Sequence, residues 1–244
     1  MNPETTPTHL GHELRELMQL LYKPHPWHGI SAGPEAPATV QAYIELVPTD
    51  AVKYEIDKAS GHLKVDRPQL FSSFCPSLYG FIPRTYCGTR VGRHTAASVG
   101  RDEISGDGDP IDICVLTEKP ITHGDVLVPA IPIGGIRLID KNQADDKIIA
   151  VMVGDRLYGD IKDIADLKEA ALDRLVHYFL TYKDLPSPTR VRKVEIAAVY
   201  GRNEAMKIIE HSMQDYAELF RDPAGRWERL LAGLAGTSDT GSPA

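Results

Sequence analysis

The chain has 244 residues, 42% hydrophobic and 25% charged, with a formal net charge of −7. That suits one large globular domain or two small ones. It argues against a duplex nucleic-acid binder, which gains most of its affinity from a basic surplus. An acidic protein that handles an anionic substrate needs cations between itself and its ligand.

The N-terminus, MNPETTPTHL, lacks the apolar core of a signal peptide, and the longest apolar run, residues 148–153, is far too short to span a bilayer. No membrane partner is expected. Leu10, Leu14, Leu17 and Leu21 mark one face of an amphipathic helix, closed by Pro24. Residues 23–37, rich in Pro and Gly, read as an extended arm, so residues 1–38 form an N-terminal helix and arm. His25 and His28 lie in that arm without a third ligand and read as structural. The main domain is expected over 39–220.

Strands are predicted at 43–47 and 52–56, then, after a Ser60-Gly61 turn, at 62–65. Residues 89–106, with three glycines, three arginines and His94 but no clear periodicity, read as a long loop, of the kind that is often functional. Further strands are predicted at 111–116, 126–133, 135–139, 147–153 and 194–199. Short strands separated by turn signals indicate a mainly β fold, a barrel with flanking helices. One helix carries Ile164, Leu167, Ala171, Leu175, Val176, Phe179 and Leu180, with Asp166 and Glu169 as a capping box and Pro186 and Pro188 as its stop. A second runs over about 203–220. Residues 221–244 are expected to hold a short helix and a disordered tail. Cys75, Cys87 and Cys114 are odd in number and form no C-x-x-C, which fits reduced thiols in a cytoplasmic protein.

The segment richest in chemistry is Asp107-Gly-Asp-Pro-Ile-Asp112, three carboxylates within six residues. Gly108 and Pro110 force a turn, and the apolar run that follows continues as a strand. Asp112 therefore points away from Ile111 and Ile113, toward whatever Asp107 faces. Carboxylates about 4 Å apart repel by about 4 kcal/mol at an effective dielectric of 20, so converging acids need a cation or a shared proton. An EF-hand does not fit, because Asp112 stands where that loop needs glycine. All-oxygen ligands favour Mg²⁺, Mn²⁺ or Ca²⁺ over zinc, and Mg²⁺ suits phosphate chemistry. Asp140 and Asp145-Asp146, near strand ends and followed by Lys147, form a second acidic group. No G-x-S-x-G, Walker A or G-x-G-x-x-G motif occurs.

Asp107-Gly-Asp-Pro-Ile-Asp112 resembles the D-G-D-P-x-D motif of the family I soluble inorganic pyrophosphatases, and Lys53-Tyr-Glu-Ile-Asp57 resembles their K-Y-E segment. Arg67, Tyr79-Gly-Phe-Ile-Pro83, Asp140, Asp145, Lys147 and Tyr182-Lys183-Asp184 follow in the family's order and approximate spacing, over residues 40–215. The resemblance implies a five-stranded OB-like barrel that hydrolyses pyrophosphate to two phosphates with Mg²⁺. It implies that Asp107, Asp112 and Asp145 hold the activating cation and that Asp112 shares a second. Asp140 and Asp145 would hold a third, arriving with substrate, and Glu45 would help with a fourth. Asp109 would be the general base. Lys53, Arg67, Tyr79, Lys147, Tyr182 and Lys183 would hold phosphate, with Glu55 one layer behind. A homo-oligomer is implied, dimers and hexamers both occurring in the family.

The chain departs from the family pattern at Cys75, where tyrosine is common, in the insertion 89–106, and in the long N-terminal arm. Two other readings remain open at this stage: a metal-dependent phosphohydrolase acting on another phosphoanhydride, and a non-catalytic OB-type barrel that binds nucleic acid.

Overall fold

The computed structural model describes residues 22–70, 72–183 and 194–220. The expected helix over Leu10–Leu21, the stop at Pro186 and Pro188 and the tail from 221 lie outside them. One compact unit spans His25–Tyr216. A second comprises Met1–Pro24 with Ala217–Ala244, and its described residues are 22–24 and 217–220. No helix among the described residues is long and apolar enough to cross a membrane.

In chain order the elements are β1 (Val40–Leu46), β2 (Val52–Ile56), β3 (Leu63–Pro68), β4 (Leu78–Phe81), α1 (Thr89–Val99), β5 (Ser105–Gly106) and β6 (Asp112–Leu116). Then come β7 (Val126–Asp140), β8 (Gln143–Ala144), β9 (Lys147–Met152), a 3₁₀ turn (Ile164–Asp166), α2 (Glu169–Thr181), β10 (Val194–Gly201) and α3 (Arg202–Phe220). Five strands close into a ring: β1 pairs with β4, β4 with β6, β6 with β9, β9 with β7, and β7 with β1 again. All these pairings are antiparallel except β6–β9. The ring is the five-stranded arrangement expected. Hairpin β2–β3 forms a separate small sheet.

Strand alternation sorts the core. Ile113, Val115, Ile148 and Ala150 join Val91 of α1 and Ala205, Ile208 and Ile209 of α3 in one buried cluster. Their strand neighbours Cys114, Leu116, Ile149 and Val151 join Leu175, Tyr178 and Phe179 of α2 in another. Both faces of β6 and β9 are thus covered, which is why these strands read as continuous apolar runs.

Four expectations need correction. The strands predicted at 126–133 and 135–139 are one strand, β7, with a register shift between Pro132 and Gly134 absorbing the break. Strand β4 went unread. Helix α3 begins as expected, but Asp163, not Asp166, caps the turn ahead of α2: its side chain accepts from Ala165 N–H (3.1 Å) and Asp166 returns the box.

The fourth correction is the segment 89–106. It holds helix α1, not a long loop, ending at Gly100 with φ 65°. The residue preceding the helix supplies no side-chain cap. Asp215, on α3 and 5% exposed, supplies one instead, accepting from the backbone N–H of Gly88 (3.1 Å), Arg90 (3.0 Å) and Val91 (3.2 Å). A cap delivered by a residue so distant in sequence leaves no local signature.

The arm residues pack as part of the main unit. Trp27 is buried and donates from Nε1 to the Thr85 carbonyl (2.8 Å). His28 pairs through Nδ1 with the Tyr216 hydroxyl (2.8 Å) and stacks on Trp27; burial pushes it down to about 4. His25 bonds the Lys58 carbonyl (3.1 Å) at the tip of hairpin β2–β3.

Asp215→Ala strands several N–H groups of α1 at once and is expected to cost about 2–3 kcal/mol in urea unfolding. A loss under about 0.5 kcal/mol would contradict this role.

Candidate active site

The parallel pair β6–β9 brings its first residues side by side, Asp112 opposite Lys147. Tyr79 reaches the same point from β4, its hydroxyl donating to Asp112 Oδ2 (2.6 Å). Lys147 is 2% exposed, and its ammonium donates to both Asp112 Oδ2 and Asp145 Oδ1. Asp145 can share this face because it lies two residues before Lys147 on an alternating chain.

A tight hairpin sets the neighbouring acids. Lys141 (φ 53°) and Asn142 (φ 64°) make the left-handed turn between β7 and β8, a two-residue connection that needs positive φ at both positions. Asp140 and Asp145 flank it. In the other acidic turn Gly108 takes φ 80° and Asp109 N–H folds back on Asp107 Oδ1 (3.0 Å). Ile111 is fully buried beside it, with its N–H on Thr85 Oγ1 (3.0 Å). An apolar anchor next to a polar turn holds the acids at the end of the ring. Asp112 points away from Ile111 and Ile113, as its place in the strand requires.

The basic residues come mostly from elsewhere. On hairpin β2–β3, Lys53 bonds Glu55 (3.0 Å) and Asp66 (3.1 Å), and Arg67 bonds Asp66 (2.6 Å). Arg67 also lies 5.9 Å from the Tyr182 ring centre. Lys183 pairs with Asp140 (2.9 Å) and sits 5.4 Å from the same ring. Glu45, 5% exposed, accepts from Ile56 N–H (2.7 Å). Asp109 is paired with Lys58 at the hairpin tip.

Most of the sequence-predicted residues thus fall into linked groups: Tyr79, Asp112, Asp145 and Lys147; Lys53, Glu55 and Arg67; Asp140 with Lys183, joined to Arg67 through Tyr182. Asp107 and Asp109 bond each other in their turn and Glu45 bonds Ile56, outside these groups. Two participants were not foreseen, Asp66 and Lys58. Asp66 stands next to Arg67 and Lys58 just past the Lys53–Asp57 segment, so proximity in sequence was the available signal.

Electrostatics show a deficit of positive charge. Burial pushes Asp107 up to about 8, and the like charges of Asp145 and Asp112 add to it. Glu45 is also pushed up to about 8, by burial first, against the pull of its Ile56 hydrogen bond. Burial and Asp112 raise Asp145 as well, despite Lys147. Burial would lower Lys147, but Asp112 and Asp145 outweigh it and hold the ammonium well above its usual range.

Do these residues fit a metal ion? Among the described residues no three His, Cys, Asp or Glu side chains already converge as a ready-made cage; two of the acids are turned onto Lys147 and one onto Lys183. Yet Asp140 Oδ1 is buried without a hydrogen-bond partner, and the donors are all carboxylate oxygens. That chemistry fits a hard divalent cation.

Asp107, held near 8, keeps a proton through much of the neutral range and must release it when a cation takes the carboxylate. Mg²⁺ affinity is therefore expected to rise with pH to about 8 and level off above it, with protons released on binding. Calorimetric titration in two buffers of different protonation enthalpy checks this; a pH-independent affinity without proton release contradicts it.

The inorganic pyrophosphatase family model matches residues 42–217. Inorganic pyrophosphatase of Chlamydia muridarum is 51% identical over 199 residues, covering 80% of this chain and 95% of that one. Soluble inorganic pyrophosphatase of Zea mays is 35% identical over 194 residues, 80% of each chain. Among solved structures, inorganic pyrophosphatase from Thermus thermophilus superimposes with a TM-score of 0.65 at 28% identity, over 80% of this chain and 99% of that one.

Proposed function

We propose, from the premise that this chain belongs to the inorganic pyrophosphatase family and is an inorganic diphosphatase, that it hydrolyses pyrophosphate to two orthophosphates with Mg²⁺ as the activating cation. The observation that carries this reading is the meeting of Asp112, Asp145 and the buried Lys147 at the head of β6–β9.

In this reading Asp107, Asp112 and Asp145 hold the activating ion, Asp112 shares a second, Asp140 and Asp145 take a third, and Glu45 helps with a fourth. When bound, such ions lower the pKa of a coordinated water and offset phosphate charge. The chain's own groups do the rest. Asp109 accepts the attacking water's proton on its carboxylate once Lys58 lets it go. The water oxygen bonds to one phosphorus, the bridging P–O bond breaks, and the electron pair leaves on the departing phosphate. Arg67 offers a planar fork of donors for phosphate oxygens, and Lys53, Lys147 and Lys183 offer point charges. Tyr182 supplies a hydroxyl donor, and Tyr79 does so once its hydroxyl proton leaves Asp112. Glu55, bonded to Lys53, orients it. Phosphoryl transfer asks mainly for such positioning and charge stabilisation.

We place the enzyme in the cytoplasm as a homo-oligomer. All three cysteines are free and buried, as in reduced proteins.

Two variants of the acidic turn test the roles through phosphate release at graded Mg²⁺. Asp112→Asn is expected to lose metal affinity and turnover together. Asp109→Asn should keep most of the affinity and lose about 10²–10⁴-fold in saturated turnover. If Asp109→Asn instead loses affinity and turns over normally at saturation, Asp109 is a ligand and not the base.

A further inference from the structure

Asp146 lies between Asp145 and Lys147 and points to the opposite face of the strand. It is 1% exposed. Its Oδ2 meets Arg137 through Nε and Nη2 (3.4 Å each) and accepts from the Tyr200 hydroxyl (3.1 Å), while its Oδ1 is buried without a partner. Arg137, 3% exposed, also donates to Glu204 Oε1 (2.9 Å) and lies 5.0 Å from the Tyr200 ring centre. The same Glu204 oxygen pairs with His94 Nε2 (2.6 Å) on helix α1. Strands β7 and β10, the segment entering β9, and helices α1 and α3 therefore meet in one polar cluster.

We propose that Arg137, Asp146, Tyr200 and Glu204 form a positioning device for the pyrophosphatase reaction, fixing the rotation of the chain at 145–147 so that Asp145 and Lys147 face the site. This rests on the reading of Asp145 as a cation ligand. Side chains alternate along a strand, so a grip on Asp146 from behind also sets the directions of its two neighbours. The grip has been given room: a Cβ at Gly135 would lie 2.4 Å from the Tyr200 ring, so only glycine lets that ring lie across β7 to reach Asp146. Stability alone does not account for the cluster. A buried ion pair seldom beats well-packed apolar side chains of similar volume, and here one carboxylate oxygen is left unpaired. Through Glu204 and His94 the device also ties the catalytic strand to α1, giving the inserted segment a task at a distance. Two of the three arginines of that segment pair with carboxylates that are not among the site residues: Arg90 with Asp215 (3.3 Å) and Arg101 with Glu195 (2.8 Å).

The test separates positioning from bulk stability. The double variant Arg137→Met/Asp146→Leu replaces the pair with apolar groups. Melting temperature, Mg²⁺ affinity of the metal-free protein by calorimetry, and kcat and KM for pyrophosphate are measured together, with Asp145→Asn as control. The double variant is expected to melt near the parent while Mg²⁺ affinity falls about tenfold, the size seen when partners behind metal ligands are removed. Its kcat should fall more than its KM changes. Glu204→Gln, at a partly exposed position, should show a smaller loss in the same direction and gives a reading even if the double variant does not fold. Unchanged affinity and kcat in whichever of these variants folds, with Asp145→Asn impaired, would make the cluster purely structural. Parent-like Mg²⁺ binding by Asp145→Asn would overturn the ligand reading itself, and this inference with it.

Discussion

The Lys147 ammonium lies 2% exposed between Asp112 and Asp145 at the head of the single parallel strand pair in the ring. Each of these charges alone would be costly there, by several kcal/mol per desolvated ion. Together they are tolerated, and the remaining acids are arranged around them. The fold supplies the condition: a parallel β6–β9 pair starts both strands at the same end, so an acid and a base in first position become neighbours. An antiparallel pair would have put them at opposite ends.

One ammonium does not neutralise the cluster. Asp107 and Glu45 are pushed up to about 8, and the unpartnered Asp140 oxygen tells the same story. The remaining cationic side chains are committed to other carboxylates, Lys53 and Arg67 on hairpin β2–β3 and Lys183 beside Asp140. An acidic end that also presents basic side chains suits an anionic substrate arriving with cations. The hairpin lies outside the ring and is tied at its tip to the arm through His25 and Lys58. The arm thereby steadies the segment that carries Lys53 and Arg67.

Much of this was legible in the sequence because the relevant signals are local. The Gly108-Pro110 turn running into an apolar strand already fixes which way Asp112 faces. Alternation gave β1 and β2, and a continuous apolar run gave β9, to within a few residues. What could not be read was set by distant partners. Helix α1 buries only Val91, Gly92 and Thr95 and takes its cap from Asp215, so residues 89–99 read as loop. Strand β7 passes Gly134 and Gly135, which normally end strands; β9 and β10 pair it there on both sides and override them. The site residues were found through their motif, whereas Arg137 and Asp146 belong to no motif and could be joined only once β7 and the 145–147 segment were seen side by side.

The account turns on whether Lys147 compensates buried carboxylates. Replacing it by Met removes that compensation and leaves the acids in place, so the metal-free protein should lose stability and a divalent cation should restore more than it does in the parent. Thermal melting of Lys147→Met and of the parent, each with and without Mg²⁺, measures this directly. The expected result is a lower melting temperature without Mg²⁺ and a larger Mg²⁺-induced rise than the parent shows. A variant that melts like the parent without Mg²⁺, or gains no more from Mg²⁺ than the parent does, would contradict it.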